Sequence, residues 1–501
     1  MSSLSVASVP ALAGDAVRRA TVSVRDATVQ RSSQALAAPP ATALNLTTSA
    51  ADTVVYARPK APDVAVLIGQ RAWATQPQDD ISTLMARNSE RGTSGGLASQ
   101  WRGLGGALLS RLAATGTDYQ QTLANDVSPK DAAGATATGA ESVNAALLSG
   151  VQDGAAKVSL SIRTRSGLTV ALSLMANDGA GEGRSGLKVG IQASGPLSDS
   201  ERKALADLAE GVDKVLDGLG QPDQPKLDLS GLLAYDSSVL GSVDLSVKNP
   251  RADQPLSSFS LYLGADRKSV QFKGAVGELA LNVDAAAPAG AASAQQRQSA
   301  IDENLRRFDA AAERSHADSR LVGLFKDVFT QLHASAATAP GASSAALRQP
   351  LATQIQPFLS GLADFDASFH GEFKRKGARG NVVEQGEASY QVSQKTSMTP
   401  TRGAEDLSIA QEQRETLTAQ YLRSRADATL DTSSGDNDAV DIQDSRAVTT
   451  VLSTVNGALS QGDRLTEEHR LYTLKRLVNH RVDTESRTPL DKRFLEPLFS
   501  P

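Results

Sequence analysis

From residue 156 to residue 284 the chain repeatedly places apolar side chains at every second position, a period that commits it to strands with one buried face. Val158, Leu160 and Ile162 alternate with polar residues, Ser166-Gly167 supplies a turn, and Leu168, Val170, Leu172 and Leu174 alternate again. Leu187, Val189 and Ile191 give a third run. Then the period changes. Ser198-Asp199-Ser200-Glu201 has the form of a capping box, whose first and fourth side chains satisfy free N–H groups at a helix start. Leu205, Leu208, Val212, Val215, Leu216 and Leu219 follow at helical spacing, and Gly218 and Gly220 end the run. Alternation resumes at Val243, Leu245 and Val247, at Phe259, Leu261 and Leu263, at Val270 and Phe272, and at Leu279, Leu281 and Val283. The pattern predicts an α+β fold class: an antiparallel sheet domain with a packed helix over 155–285, flanked by helical regions and disordered Ala/Ser/Pro-rich segments.

The flanks read differently. Residues 1–75 are expected to form a largely disordered N-terminal segment, being rich in Ser, Ala, Thr and Val and punctuated by Pro39-Pro40, Pro59 and Pro62. A short helical region over 76–150 rests on Ile81, Leu84 and Met85, then on Leu97, Trp101, Leu104, Leu108 and Leu112, with Gly103, Gly105 and Gly106 either breaking it or permitting close packing. AAAPAGAASAQQ marks a linker, assigned to 286–300. The pattern over 301–482 predicts a helical region with a β-hairpin near Lys376 to Gly380, its later helices falling at 405–424, 446–459 and 463–482. Residues 483–501 read as a Pro-bearing tail.

Two decapeptides match in register, SGLLAYDSSV at 230–239 and SGLADFDASF at 360–369. Either this is coincidence in a biased composition, or the 301–482 region is a diverged copy of the sheet domain. The shared Ser230, Ser360, Asp236 and Asp366 are candidate structural turn residues, each carboxylate accepting backbone N–H groups before a strand. No catalytic residue is assigned.

Chemistry is constrained mainly by exclusion. The chain has 501 residues, no cysteine and a formal net charge of −5. Disulfides, thiolate metal sites and a cysteine nucleophile are ruled out, and so mild a balance gives no reason to expect nucleic acid. The longest apolar run, Val64 to Ile68, is far below the ~20 residues of a membrane span. Gly181-Glu182-Gly183-Arg184-Ser185-Gly186 matches the dinucleotide fingerprint formally, but a strand pattern follows where a helix is required, so it reads as a hairpin loop. His469 and His480 fall on one face of an expected helix, too far apart for one metal; His333 near a helix end would complement the dipole. The acidic run Asp431, Asp436, Asp438, Asp441 and Asp444 lacks the alternation of a calcium loop. Lys374, Arg375, Lys376 and Arg379 read as a charged turn; Asp364 and Asp366 have the spacing of paired carboxylates on one face of an extended segment, but Ala234 stands at the place matching Asp364, so turn capping by the shared Asp366 is the more economical role. No cofactor and no metal are expected, and the expected partner is a protein.

The lack of Cys, the 4% aromatic content and the small-residue bias resemble those of bacterial proteins exported unfolded. The N-terminus is similar to type III or flagellar export signals: Ser-rich, aliphatic at Leu4, and without an acidic residue before Asp15. It has neither a positive n-region nor an apolar h-region, so a Sec signal peptide is not expected. The resemblance implies a non-enzymatic exported or surface-associated binding or structural protein. A cytoplasmic scaffold or regulator, and an enzyme of unrecognised type, are the alternatives. Residues 1–50 fused to a reporter are expected to carry it out of a cell with a type III or flagellar apparatus, and removal of residues 2–15 to abolish secretion. A reporter that stays inside overturns the export reading.

Overall fold

The structure is a computed structural model that describes residues 66–68, 71–126, 148–179, 184–220, 226–251, 255–284, 292–336, 351, 354–403, 406–425, 428–433 and 435–499. Among these described residues sixteen strands form one antiparallel sheet. They are β1 (Val66–Ile68), β2 (Arg71–Trp73), β3 (Tyr119–Ala124), β4 (Ala156–Thr164), β5 (Thr169–Asn177), β6 (Gly186–Ala193), β7 (Leu240–Lys248), β8 (Leu256–Gly264), β9 (Arg267–Gly274) and β10 (Gly277–Asp284). The second group is β11 (Phe365–Lys376), β12 (Val382–Gly403), β13 (Asp406–Arg423), β14 (Asp438–Val455), β15 (Ala458–Val478) and β16 (Arg481–Phe499). The spatial order is β1-β2-β3-β6-β5-β4-β7, and from β7 to β16 it follows the sequence. Helices are α1 (Asp80–Trp101), α2 (Leu104–Thr115), α3 (Asp199–Leu219), the short α4 (Ser230–Leu233), α5 (Ala294–Ser315) and α6 (Ser319–Ala336). The chain is therefore a mixed α+β protein.

Register turns the period-two pattern into a core. Ile191, Leu172, Leu160, Leu245, Leu261, Val270, Leu281, Ala367 and Val392 stand side by side across the strands, and all are buried. Each larger member contributes about 1.5–3 kcal/mol by leaving water. The next row faces the other way: Ser173, Ser159, Ser246, Ser260, Gln271, Ala280, Ser368, Gln391, Thr416, Ser445 and His469, none of them buried. One face thus carries the helices, and the other is a polar carpet open to solvent.

The capping box holds at the start of α3, where Ser198 Oγ accepts from Glu201 N and Ser198 N donates 2.8 Å to Glu201 Oε2. Ser166 Oγ also donates to Glu201 at 2.6 Å, tying the cap to the β4–β5 turn and drawing that carboxyl down to about 2. The α1–α2 break falls at Gly103, whose φ of +70° suits glycine. Gly106 then allows α2 to lie directly on α3: an added Cβ would sit 2.3 Å from Asp213 Oδ2, and its N–H donates to Asp213 Oδ1 at 2.9 Å. Helices α5 and α6 meet the sheet through edge-on aromatics, Phe308 lying 4.9 Å from Phe325, 5.0 Å from Phe329 and 5.7 Å from Tyr390.

Several expectations are corrected. The segments 405–424, 446–459 and 463–482 are strands β13–β15, so 301–482 is a helical pair followed by sheet, and the 483–501 tail is strand β16 up to Phe499. Val448, Val451, Leu452 and Val455 suggested a helix, yet only Val448 and Leu452 are buried, with Thr450 and Thr454 between and beyond them, while Val451 and Val455 are exposed. Polar residues at inward positions hid the period of two. The linker assigned to 286–300 gives way to helix from Ala294, capped by Ser293, whose Oγ accepts Gln296 N at 3.1 Å. Strands β1 and β2 occupy the end of the 1–75 segment, of which residues 1–65 lie outside the described residues, as do 127–147 of the 76–150 region. The sheet also does not stop at 285, since β10 pairs with β11.

His333, in the last turn of α6, is 2% exposed and lies 4.3 Å from the Phe329 ring and 4.9 Å from Phe365. Neither ring nitrogen has a hydrogen-bond partner among the described residues. Desolvation holds its pKa down at about 3, so it is neutral and does not complement the helix dipole. An unfolded His takes up a proton near 6.5, which this one resists. Stability is therefore complete above that pH and falls as the pH drops toward 3, by up to about 1.4 kcal/mol per pH unit. Urea denaturation at pH 6.5 and 5 is expected to show this loss in the parent, and His333→Leu to remove most of it.

Candidate functional site

The helix-facing row changes chemistry where the sheet leaves α6. From Val392 the register leads to Glu415, Arg446, Glu468 and Lys492 on β13 to β16. The signs alternate strand by strand, so each charge stands beside its opposite. The adjacent row runs Tyr390, Leu417, Asp444, Arg470, Leu490.

Helix α5 supplies the other half. Arg307 and Arg314, two turns apart on one face, reach down to the strands. Arg307 Nη1 donates to Glu415 Oε1 at 2.6 Å and its Nε to Glu303 at 3.1 Å, while Arg446 Nη1 donates to the same Glu415 oxygen at 3.1 Å. Arg314 makes a two-pronged contact with Asp444, its Nη2 donating to Oδ1 at 2.9 Å. Burial opposes the Arg307 charge, but Glu415 and Glu303 outweigh it and raise its pKa. The hydrogen bond to Asp444 raises that of Arg314. A cleft of about 290 Å³ runs along this clamp. Glu415 and Asp444 are both answered by guanidinium groups, so neither is held as a free base. The arrangement fastens α5 to β13 and β14.

Beyond the clamp the sheet loses its cover. Strand β16 is exposed along its whole length up to Leu498. Phe494 and Leu495 are each 63% exposed, Val482 and Val455 52%. Register places Phe494 and Leu490 on the helix-facing side and Leu495 on the open side. The hairpin tip is nevertheless pinned: Asn479 N donates to Asp436 Oδ1 at 2.8 Å, and His480 Nε2 lies 3.0 Å from the Ser433 carbonyl.

The residues singled out from the sequence fall in separate places. Asp236 Oδ1 accepts from Ser238 N at 2.9 Å and Ser238 Oγ at 2.6 Å, lowering its pKa. Asp366 lies inside β11, exposed on the open face, not in a turn before it; Asp364 instead accepts Thr396 N at 2.7 Å. Ser230 Oγ donates to Asp228, and Ser360 Oγ accepts Leu362 N. The matched decapeptides also differ in form, Ser230–Leu233 being helical while β11 already begins at Phe365. The acidic run disperses: Asp431 holds Ser433, Asp438 lies within 3.7 Å of Arg423, Arg425 and Arg476, and Asp444 holds Arg314. No group of three metal-ligating side chains gathers among the described residues. His469 sits on β15, 2.7 Å from Asp491, and His480 in a turn, so they do not share a helix. Gly186 opens β6 rather than a helix; Gly181 to Gly183 lie outside the described residues. Arg375 lies 3.3 Å from Glu384 beside the β11–β12 turn.

The clamp was missed because its parts are scattered in sequence from Glu303 to Arg446, 143 positions apart. The outer hairpins did leave a signal: Asn456-Gly457, which favours the left-handed turn its φ values of 52° and 74° show. No family model, curated protein or solved structure matches this chain. Arg307→Ala is expected to lower stability by about 1–3 kcal/mol, leaving Glu415 half-paired in a largely buried place. Hydrogen exchange should quicken in β13 to β15 while β4 to β8 keep their protection.

Proposed function

We propose that this chain is a non-enzymatic binding and structural protein, exported unfolded by a type III or flagellar-like route, that meets another protein through β15 and β16. One observation carries the reading: β16 stands exposed on both faces from Arg481 to Pro497 while bearing Val482, Leu490, Phe494 and Leu495. Exposed apolar side chains that recur on one strand mark a surface for association. The clamp beneath α5 supports the reading, since it holds β13 and β14 against a helix and so gives the outer hairpin a stiff base. The cysteine-free composition and the signal-like N-terminus support the export half. No helix among the described residues is long and apolar enough to cross a membrane.

A photo-crosslinking residue placed at 494 or 495, in the cells that make the protein, tests the surface. Adducts with a polypeptide are expected several-fold above those from 246 or 260, serine positions on the open face. Equal yields, or none, would set the reading aside.

A further inference from the structure

We propose that the partner of β16 is a second copy of the same chain, joined edge to edge and antiparallel about a twofold axis through Pro489, an inference that rests on the reading that the outer strands meet a protein.

Among the described residues no strand pairs with the outer edge of β16, and that edge can be identified residue by residue. Val478 and Arg481 close a two-residue turn, Asn479-His480, with φ values of 49° and 61°. The closing pair of such a hairpin is hydrogen-bonded, and bonded pairs recur at every second position. After the bulge opposite Arg476/Leu477 the register runs unbroken from Thr484 to Pro497. The even residues then bond to β15, and the odd ones point their N–H and C=O groups outward. Pro489 and Pro497 are both odd, where a strand tolerates proline because the missing N–H faces the free side.

Most edges carry features that repel a second strand. β16 carries two of them, proline at 489 and 497 and a row of charges, but the outward backbone groups of Glu485, Arg487, Asp491 and Arg493 remain free of proline, and the charges balance, with Arg481, Arg487, Lys492 and Arg493 against Asp483, Glu485, Asp491 and Glu496. A twofold axis at Pro489 sets Glu485 opposite Arg493 of the second copy and Arg487 opposite Asp491, twice each. All four side chains lie on the open face, because odd positions of β16 share it with His469 and Glu467. Shifting the pairing by two residues sets Arg487 against Arg493, or Glu485 against Asp491, so the charges select one register. The central proline pair lacks its hydrogen bonds, and Pro497, opposite Arg481 of the second copy at each end, offers no N–H there. The existing neighbours of these charges do not block the exchange. Arg487 with Glu485, His469 with Asp491 and Arg493 with Glu467 are exposed pairs, which are worth little in water.

The test uses the full chain in sedimentation velocity across a hundredfold concentration range at low and high salt. The acidic variant carries Arg487→Glu and Arg493→Glu; the basic variant carries Glu485→Arg and Asp491→Arg. The parent is expected to dimerise with rising concentration and less well in high salt, each variant to stay monomeric, and an equimolar mixture to form a dimer holding one of each. All four positions are exposed, so thermal melts of the variants should match the parent. Pro489→Cys, the only thiol in the chain, should give an oxidised dimer, and Asp483→Cys should not. A parent that is monomeric throughout, a variant that still dimerises, or a mixture that stays monomeric would overturn the proposal. If the parent is monomeric while residues 494 and 495 crosslink to a different polypeptide, self-pairing is wrong and the binding reading survives. If they crosslink to nothing, both fall.

Discussion

Backbone register across the sheet is the constraint on which everything else rests. Because side chains alternate between faces with a period of exactly two residues per repeat, a slip of one residue in any strand would turn its apolar row to solvent. The row from Ile191 to Val392 shows how closely that is held: nine strands, each offering a buried aliphatic at the same level. Helices α1, α2, α3, α5 and α6 can then share one continuous core, since the sheet beneath them presents one continuous floor. Gly106 and Asp213 are local consequences, a helix pair drawn close enough for a backbone N–H to meet a side chain on the next helix.

The same register also carries the change of character at β13. Inward positions that hold Leu, Val and Phe on earlier strands hold Glu415, Arg446 and Glu468 further on. Such charges tolerate partial burial because each has an opposite charge on the neighbouring strand or on α5. The sheet can therefore outgrow its helices without exposing a wide apolar floor. What it exposes is confined to a few positions on β14 to β16, notably Val455, Val482, Phe494 and Leu495.

How much of this could be read from the sequence follows from the same physics. Over 156–284 inward side chains are apolar and outward ones polar, so β4 to β10 and the capped helix α3 are legible by period alone. In β13 to β15 the inward places hold Thr450, Thr454, Arg446 and Glu468, and hydropathy no longer reports which way a residue points. The scattered valines and leucines that remain fit a helix as well as a strand. Turn chemistry was the better guide there, since Asn456-Gly457 marks a hairpin whatever its strands contain. The clamp was illegible in principle, because an Arg on α5 and a Glu on β13 become neighbours only once the whole sheet is laid down. For Asp236 the local turn chemistry suffices, because Ser238 is two residues away; for Asp366 the same sequence cue sits inside a strand.

The strand order has a consequence for how the chain reaches this form. From β7 onward every strand lies beside its neighbour in sequence, and apart from residues 424–437 between β13 and β14 the connections within β11 to β16 are short, down to two residues at Asn456-Gly457 and Asn479-His480. Loop closure between such neighbours loses little chain entropy, and topologies of low contact order fold fast. The joining of β2 to β3, of β3 to β6, of β4 to β7 and of β10 to β11 requires distant segments to meet. A chain emerging N-terminus first could thus settle its costly long-range pairings early and then lay down the last six strands one upon another, each new hairpin finding its template already in place.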